Sequence, residues 1–107
     1  MNSLRPSING KKIIISFDGK EVARAFLYLM SNELHTRPFG FMEDVYVDES
    51  LRGMGLGSRI VNEVIEEAKR SGCYKLICTS RHSKPRVQAL YGKLGFSDHG
   101  KEFRIDF

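Results

Sequence analysis

The sequence predicts an α+β domain built on a mixed, mostly antiparallel sheet. Three observations predict it. Asp18-Gly19 joins two β-rich segments. A strand, a glycine-rich loop and an amphipathic helix then follow in direct succession. A short apolar strand and a second helix come after them. The hairpin makes the front half antiparallel, and strand–helix–strand implies a right-handed parallel crossover.

Residues 1–10 are polar and carry Pro6, Asn9 and Gly10, so they read as a frayed lead or a very short edge strand. Lys12–Phe17 holds the β-branched run Ile13-Ile14-Ile15. Asp18-Gly19 ends it with two residues that tolerate positive φ, the strongest short hairpin signal. The return strand, Lys20–Ser31, places Val22, Phe26, Tyr28 and Met30 on one face, interrupted by Arg24, and Ala23, Ala25, Leu27 and Leu29 on the other. Both faces are mostly apolar, so the strand is expected to be covered on both sides. Phe39–Val47 reads as a third strand, in which alternation puts Glu43 and Asp44 on opposite faces.

Leu56, Ile60, Val61, Val64, Ile65 and Ala68 recur at helical spacing and form one apolar stripe. Glu66 and Arg70 stand at i,i+4 in the favourable order. Gly72 is placed as the left-handed residue that ends the helix. Tyr74–Thr79 is expected as a short buried strand. Ser83 offers an N-cap to a second helix that opens near Lys84-Pro85 and carries Val87, Leu90, Tyr91 and Leu94 on its stripe. Phe103, Ile105 and Phe107 alternate with Arg104 and Asp106, the pattern of a strand with one buried face.

A chain of 107 residues accommodates a single domain, 1–107. Its longest apolar run, Ala25–Met30, has six residues, against roughly 20 for a membrane span. The opening residues lack the apolar core of a secretory signal, and two cysteines make neither a disulfide scaffold nor a four-thiolate zinc site. A reduced, cytoplasmic protein is expected. The net charge of +4 suits an anionic partner, but no basic run reaches five, so a local anion site is expected rather than nucleic acid. His35, His82 and His99 show no metal-ligand spacing, and no metal is expected.

The chemistry concentrates in Arg52-Gly53-Met54-Gly55-Leu56-Gly57-Ser58, between strand and helix. A Walker A loop needs Lys-Ser/Thr after the last glycine, and Ser58-Arg59 stands there. G-x-G-x-x-G fails too, because its sixth position is Ser58. What remains is a glycine loop in which the N–H groups of a first helical turn can face an anion without obstruction by Cβ atoms. A phosphate or pyrophosphate is the natural guest, with Arg52 and Arg59 beside it. The alternative is a tight turn without a ligand.

Arg52–Gly57 resembles the R/Q-x-x-G-x-G/A acyl-CoA loop of the GNAT N-acetyltransferase superfamily. Glu43-Asp44-Val45-Tyr46-Val47 is similar to that family's strand before the loop, and Gly72–Leu76 to the strand after the helix. Pro85–Phe96, with Ala89-Leu90-Tyr91-Gly92-Lys93-Leu94-Gly95-Phe96, resembles its closing helix. Four segments agree in order and spacing. Glu43-Asp44 and Cys73-Tyr74-Lys75 look rather like glucosamine-6-phosphate N-acetyltransferases.

The resemblance implies acetyl-CoA as co-substrate and an N-acetyltransferase acting on a primary amine of a small molecule by direct transfer. It implies pyrophosphate binding by the backbone of Arg52, Gly53, Met54, Gly55, Leu56, Gly57 and Ser58. The pantetheine arm would pair with Val45, Tyr46 and Val47 where the sheet splays, with an oxyanion-binding N–H near Val45. Lys84 stands where the family commonly has Asn and would contact the arm or thiol. Glu43 would be the general base, the alternative being a structural hydrogen bond. Tyr91 would protonate the departing thiolate, the alternative being core packing. Where the family usually has a first strand and two helices before the hairpin, the resemblance finds only residues 1–10, so one wall of the acceptor pocket is expected to be unassigned. A homodimer through the C-terminal strand is expected, and neither nucleic acid nor a membrane is an expected partner. The competing readings are a non-catalytic CoA-binding module, or acetylation of a protein or peptide amine.

Overall fold

In a computed structural model, residues 5–107 are described. The first four residues of the expected lead lie outside them. The elements are β1 (Ser7–Phe17), β2 (Lys20–Ser31), β3 (Phe39–Val47), α1 (Leu56–Arg70), β4 (Leu76–Ile77) and α2 (Pro85–Lys93), with one 3-10 turn at Glu49–Leu51. The sheet order is β1-β2-β3-β4. β1, β2 and β3 are antiparallel neighbours, and β4 lies parallel to β3. This is the mixed α+β sheet expected.

Asp18 (φ 51°) and Gly19 (φ 77°) both take positive φ in the hairpin turn, the geometry that matches strand twist. β1 begins earlier than the isoleucine run suggests. Ser7 to Lys11 pair with Ser31 to Leu27, because the long β2 offers ladder groups that far. In α1 the predicted stripe is buried at Leu56, Ile60, Val61, Val64 and Ala68. It packs on Ile15, Ala23, Ala25, Leu27 and Met42 of the sheet. Gly72 (φ 79°) turns the chain out of the helix, with Cys73 N–H donating to the Ala68 carbonyl at 3.1 Å. On the solvent side Arg70 pairs with Glu67 at 2.9 Å and Lys69 with Glu66 at 3.4 Å. The expected Glu66–Arg70 pair is replaced because Glu67 collects both Lys11 and Arg70.

Four expectations are corrected. The covered second face of β2 is not found: α1 packs on one face, and Arg24, Phe26, Tyr28 and Met30 on the other remain half-buried. The strand expected over Tyr74–Thr79 shrinks to Leu76–Ile77, because β4 separates from β3 after two pairs. Lys84, not Ser83, is the N-cap of α2, and Pro85 opens the helix. Phe103–Phe107 forms no strand. Nothing among the described residues offers it a ladder, and Phe103, Ile105 and Phe107 stand 90%, 78% and 115% exposed.

Candidate functional site

The site begins with an irregularity in β3. Register with β2 runs Phe26↔Glu43 and then Arg24↔Tyr46, which leaves one extra residue on β3. Asp44 absorbs it at φ 53°, a left-handed conformation that aspartate tolerates better than most residues. A bulge of this kind re-aims the side chains on either side of it. Gly40 and Met42 are buried before the bulge, and Val45 and Val47 pack against the same core after it. Strict alternation would have turned the valines away. Glu43 and Asp44 are both exposed, so the expectation that alternation separates them fails at the bulge.

Beside β3 the sheet opens. Only Gly40↔Leu76 and Phe41↔Ile77 pair with β4, extended by Gly40 N–H to the Lys75 carbonyl at 2.9 Å. From Met42 to Val47, the edge of β3 away from β2 has no strand partner among the described residues. A splay leaves backbone donors and acceptors that an amide-bearing ligand can satisfy. Val45, Tyr46 and Val47 lie along it.

At the end of β3, Asp48 holds the turn into the loop. Its carboxylate accepts from the Ser50 hydroxyl at 2.8 Å and the Ser50 N–H at 3.0 Å. These bonds, with Lys20 beyond them, keep its carboxyl below the usual range. Arg52 Nε donates to the Val47 carbonyl at 3.3 Å and ties the loop back to the strand. Gly53 (φ 89°) and Gly55 (φ 81°) are left-handed, and a Cβ on either would meet nothing within 4 Å. Gly55 is the N-cap of α1, no side chain caps the helix, and its first turn holds no acidic residue. The first helical bond runs from Arg59 N–H to the Gly55 carbonyl at 3.1 Å, and the N–H groups from Gly53 to Ser58 make no hydrogen bond within the described residues. Orphan N–H groups at a helix start carry the positive end of the helix dipole and need an acceptor. An unobstructed anion can supply it. Arg52 and Arg59 form no ion pair among the described residues.

Tyr91 lies on α2, near Cys78 just after β4, and packs against the hydrophobic core. Leu90 of α2 reaches the start of α1, since a Cβ on Gly57 would sit 3.7 Å from its Cδ2. The Tyr91 ring packs against Phe96 with centroids 5.5 Å apart. Burial, and then the neighbouring Cys78, push its phenol above the ordinary value, so it is protonated at neutral pH. Burial also pushes the Cys78 thiol up to about 11 and raises Cys73. Neither is the thiolate that nucleophilic catalysis requires. Glu43 makes no hydrogen bond or ion pair among the described residues, so its structural alternative finds no partner here. Lys84 likewise makes no side-chain hydrogen bond. The structure therefore brings β3 and the Arg52–Ser58 loop into one continuous surface, and places Tyr91 on α2 against Phe96 and the core. The bulge was missed by sequence reasoning; the adjacent polar pair Glu43-Asp44 inside an apolar strand is the signal that could have shown it.

Fold and site together define a class: mixed α+β domains in which a parallel strand pair opens beside a glycine-shaped helix start. The model of the Acetyltransferase (GNAT) family matches residues 6–96, and the chain belongs to that family. A probable glucosamine 6-phosphate N-acetyltransferase 2 of Oryza sativa subsp. japonica is 46% identical over 70 residues, which are 64% of this chain and 39% of that protein. A glucosamine 6-phosphate N-acetyltransferase of Trypanosoma brucei brucei is 42% identical over 71 residues, covering 65% of this chain and 46% of its own. The crystal structure of glucosamine-6-phosphate N-acetyltransferase from Arabidopsis thaliana superposes with a TM-score of 0.82 at 27% identity, over 92% of this chain and 67% of that one. The matched region spans less than half the length of those two curated relatives.

Proposed function

We propose that the chain is an acetyl-CoA-dependent N-acetyltransferase domain that transfers an acetyl group directly to the primary amine of a small molecule. The observation that carries the reading is the row of uncapped N–H groups from Gly53 to Ser58. They would receive the CoA pyrophosphate, with Arg52 and Arg59 at its flanks. The amide-bearing arm would lie along Val45–Val47 in the splay.

In the reaction the amine nitrogen attacks the thioester carbonyl, a C–N bond forms and the C–S bond breaks. An amine with an ordinary pKa near 10.4 is protonated at pH 7, and freeing its lone pair costs roughly 4.6 kcal/mol. Glu43, exposed and unpaired next to the bulge, takes the proton directly or through water. A positioned base contributes roughly 10²–10⁴ in rate. The Val45 N–H is the oxyanion donor. Tyr91, kept protonated by burial, returns a proton to the thiolate of CoA. The neutral thiols of Cys73 and Cys78 support direct transfer over an acyl-cysteine route.

The names of the relatives support an amino-sugar phosphate as acceptor. A homodimer is part of the proposal, because Phe103, Ile105 and Phe107 alternate along an exposed segment that a second copy could pair and cover. Release of CoA thiol with an amine panel tests the whole. Glu43→Gln is expected to lower kcat roughly 10²–10⁴-fold and flatten its rise with pH, with CoA binding retained. CoA binding without thiol release for any amine would instead favour a non-catalytic CoA module.

A further inference from the structure

The sheet face opposite α1 carries a cation that the reaction above does not use. Register across the three strands arranges this face in rows: Ile8, Met30 and Phe39; Gly10, Tyr28 and Phe41; Lys12, Phe26 and Glu43; Ile14, Arg24 and Tyr46. Glu43 therefore shares its face with Arg24, one row away. Rows on one face are two residues of strand apart, roughly 6.5–7 Å. That is about the span of a single pyranose ring.

Two observations separate Arg24 from an ordinary surface charge. Its guanidinium carbon sits 4.8 Å from the centroid of the Tyr46 ring, so the side chain is held over its cross-strand neighbour. It is half-buried and forms no ion pair among the described residues. The other cation on this face, Lys12, is engaged by Glu21 at 2.9 Å. A guanidinium stacked on an aromatic ring keeps its N–H edge free for a planar or tetrahedral oxyanion.

We propose that Arg24, fixed over Tyr46 one row from Glu43, binds the phosphate of the acceptor and selects phosphorylated amino sugars over their neutral counterparts. This rests on the acetyltransferase reading for the placement of the acceptor amine at Glu43. The half-buried ring of Phe26, in the row of Glu43, would lie under the sugar. The phosphate would receive charge-assisted hydrogen bonds from the guanidinium, an interaction that separates charged from neutral ligands by roughly 10–100-fold.

The test measures equilibrium binding of glucosamine 6-phosphate and of glucosamine to the CoA-saturated protein, and in parallel the release of CoA thiol from acetyl-CoA. Wild type is compared with Arg24→Gln, Arg24→Lys and Lys12→Gln. The proposal expects a roughly 10–100-fold preference for the phosphorylated sugar in wild type. Arg24→Gln loses it, Arg24→Lys keeps part of it, and Lys12→Gln keeps all of it. Should Arg24→Gln fail to fold by circular dichroism, Arg24→Lys decides alone, and an undiminished preference there overturns the proposal. No preference in wild type, a preference that survives Arg24→Gln, or an equal loss in Lys12→Gln also overturns it. Absence of thiol release with the Arg24-dependent preference intact would sink the catalytic reading and leave the phosphate site standing.

Discussion

Alanine at Gly55 and alanine at Gly57 are expected to change stability in opposite directions, although only Leu56 separates the two positions. Gly55 has φ 81°, and a Cβ there meets nothing within 4 Å, so the cost of Gly55→Ala is backbone strain without a clash. Left-handed backbone costs an L-residue roughly 1–2 kcal/mol. The loss of unfolded-state freedom on replacing glycine offsets about 0.4–1 kcal/mol of that. A net destabilisation of about 0.5–1 kcal/mol lowers Tm by roughly 2–8 °C in a domain of this size. Gly57 lies inside α1, and a Cβ there would make ordinary contact with Leu90 at 3.7 Å. Helix propensity then favours alanine by at most about 1 kcal/mol, the helix-interior value, which raises Tm by at most roughly 4–8 °C. Thermal unfolding followed by circular dichroism reads both. A Tm for Gly55→Ala at or above that of wild type would refute the assignment of Gly55 as the left-handed pivot of the loop.

Other outcomes follow from single groups. Tyr91→Phe keeps the packing on Phe96, so Tm should stay close to wild type while kcat falls roughly 10²–10⁴-fold; unchanged kcat would make Tyr91 a core residue only. Lys11 and then Arg70 pull the Glu67 carboxyl down from 4.5 to about 2. Its stabilising contribution is complete above about 4.5 and is lost as pH falls towards about 2, so wild type should lose Tm across that window. Glu67→Gln should remove part of that slope; an identical slope would show that the ion pairs are energetically silent. Burial holds Cys78 neutral, so its alkylation by iodoacetamide at neutral pH should be much slower than that of a free thiol in the unfolded chain.

Features written in local pattern were legible in the sequence. Asp18-Gly19 has the two positive-φ residues its hairpin needs, and the stripe from Leu56 to Ala68 is buried as its spacing requires. The loop was legible because glycines at 53 and 55 leave few other reasons for their presence, and both proved left-handed. What escaped depends on partners distant in sequence. β1 starts at Ser7 because β2 is long enough to pair with it. Phe103–Phe107 has the alternation of a strand, but alternation states which face would be buried, not whether a ladder is available. The bulge at Asp44 escaped because it is set by register against β2, and it reverses the facing of every residue after it. By alternation alone Arg24 is an interruption of an apolar face; only the pairing with Tyr46 shows it stacked beside the row of Glu43.

In the proposed function the backbone between β3 and α1 grips a diphosphate. Amide resonances of 15N-labelled protein, titrated with coenzyme A and separately with inorganic pyrophosphate, report on it directly. Saturable shifts in both titrations, largest from Gly53 to Ser58, are the predicted result. Coenzyme A that leaves those amides unmoved, or moves others in their place, would contradict it.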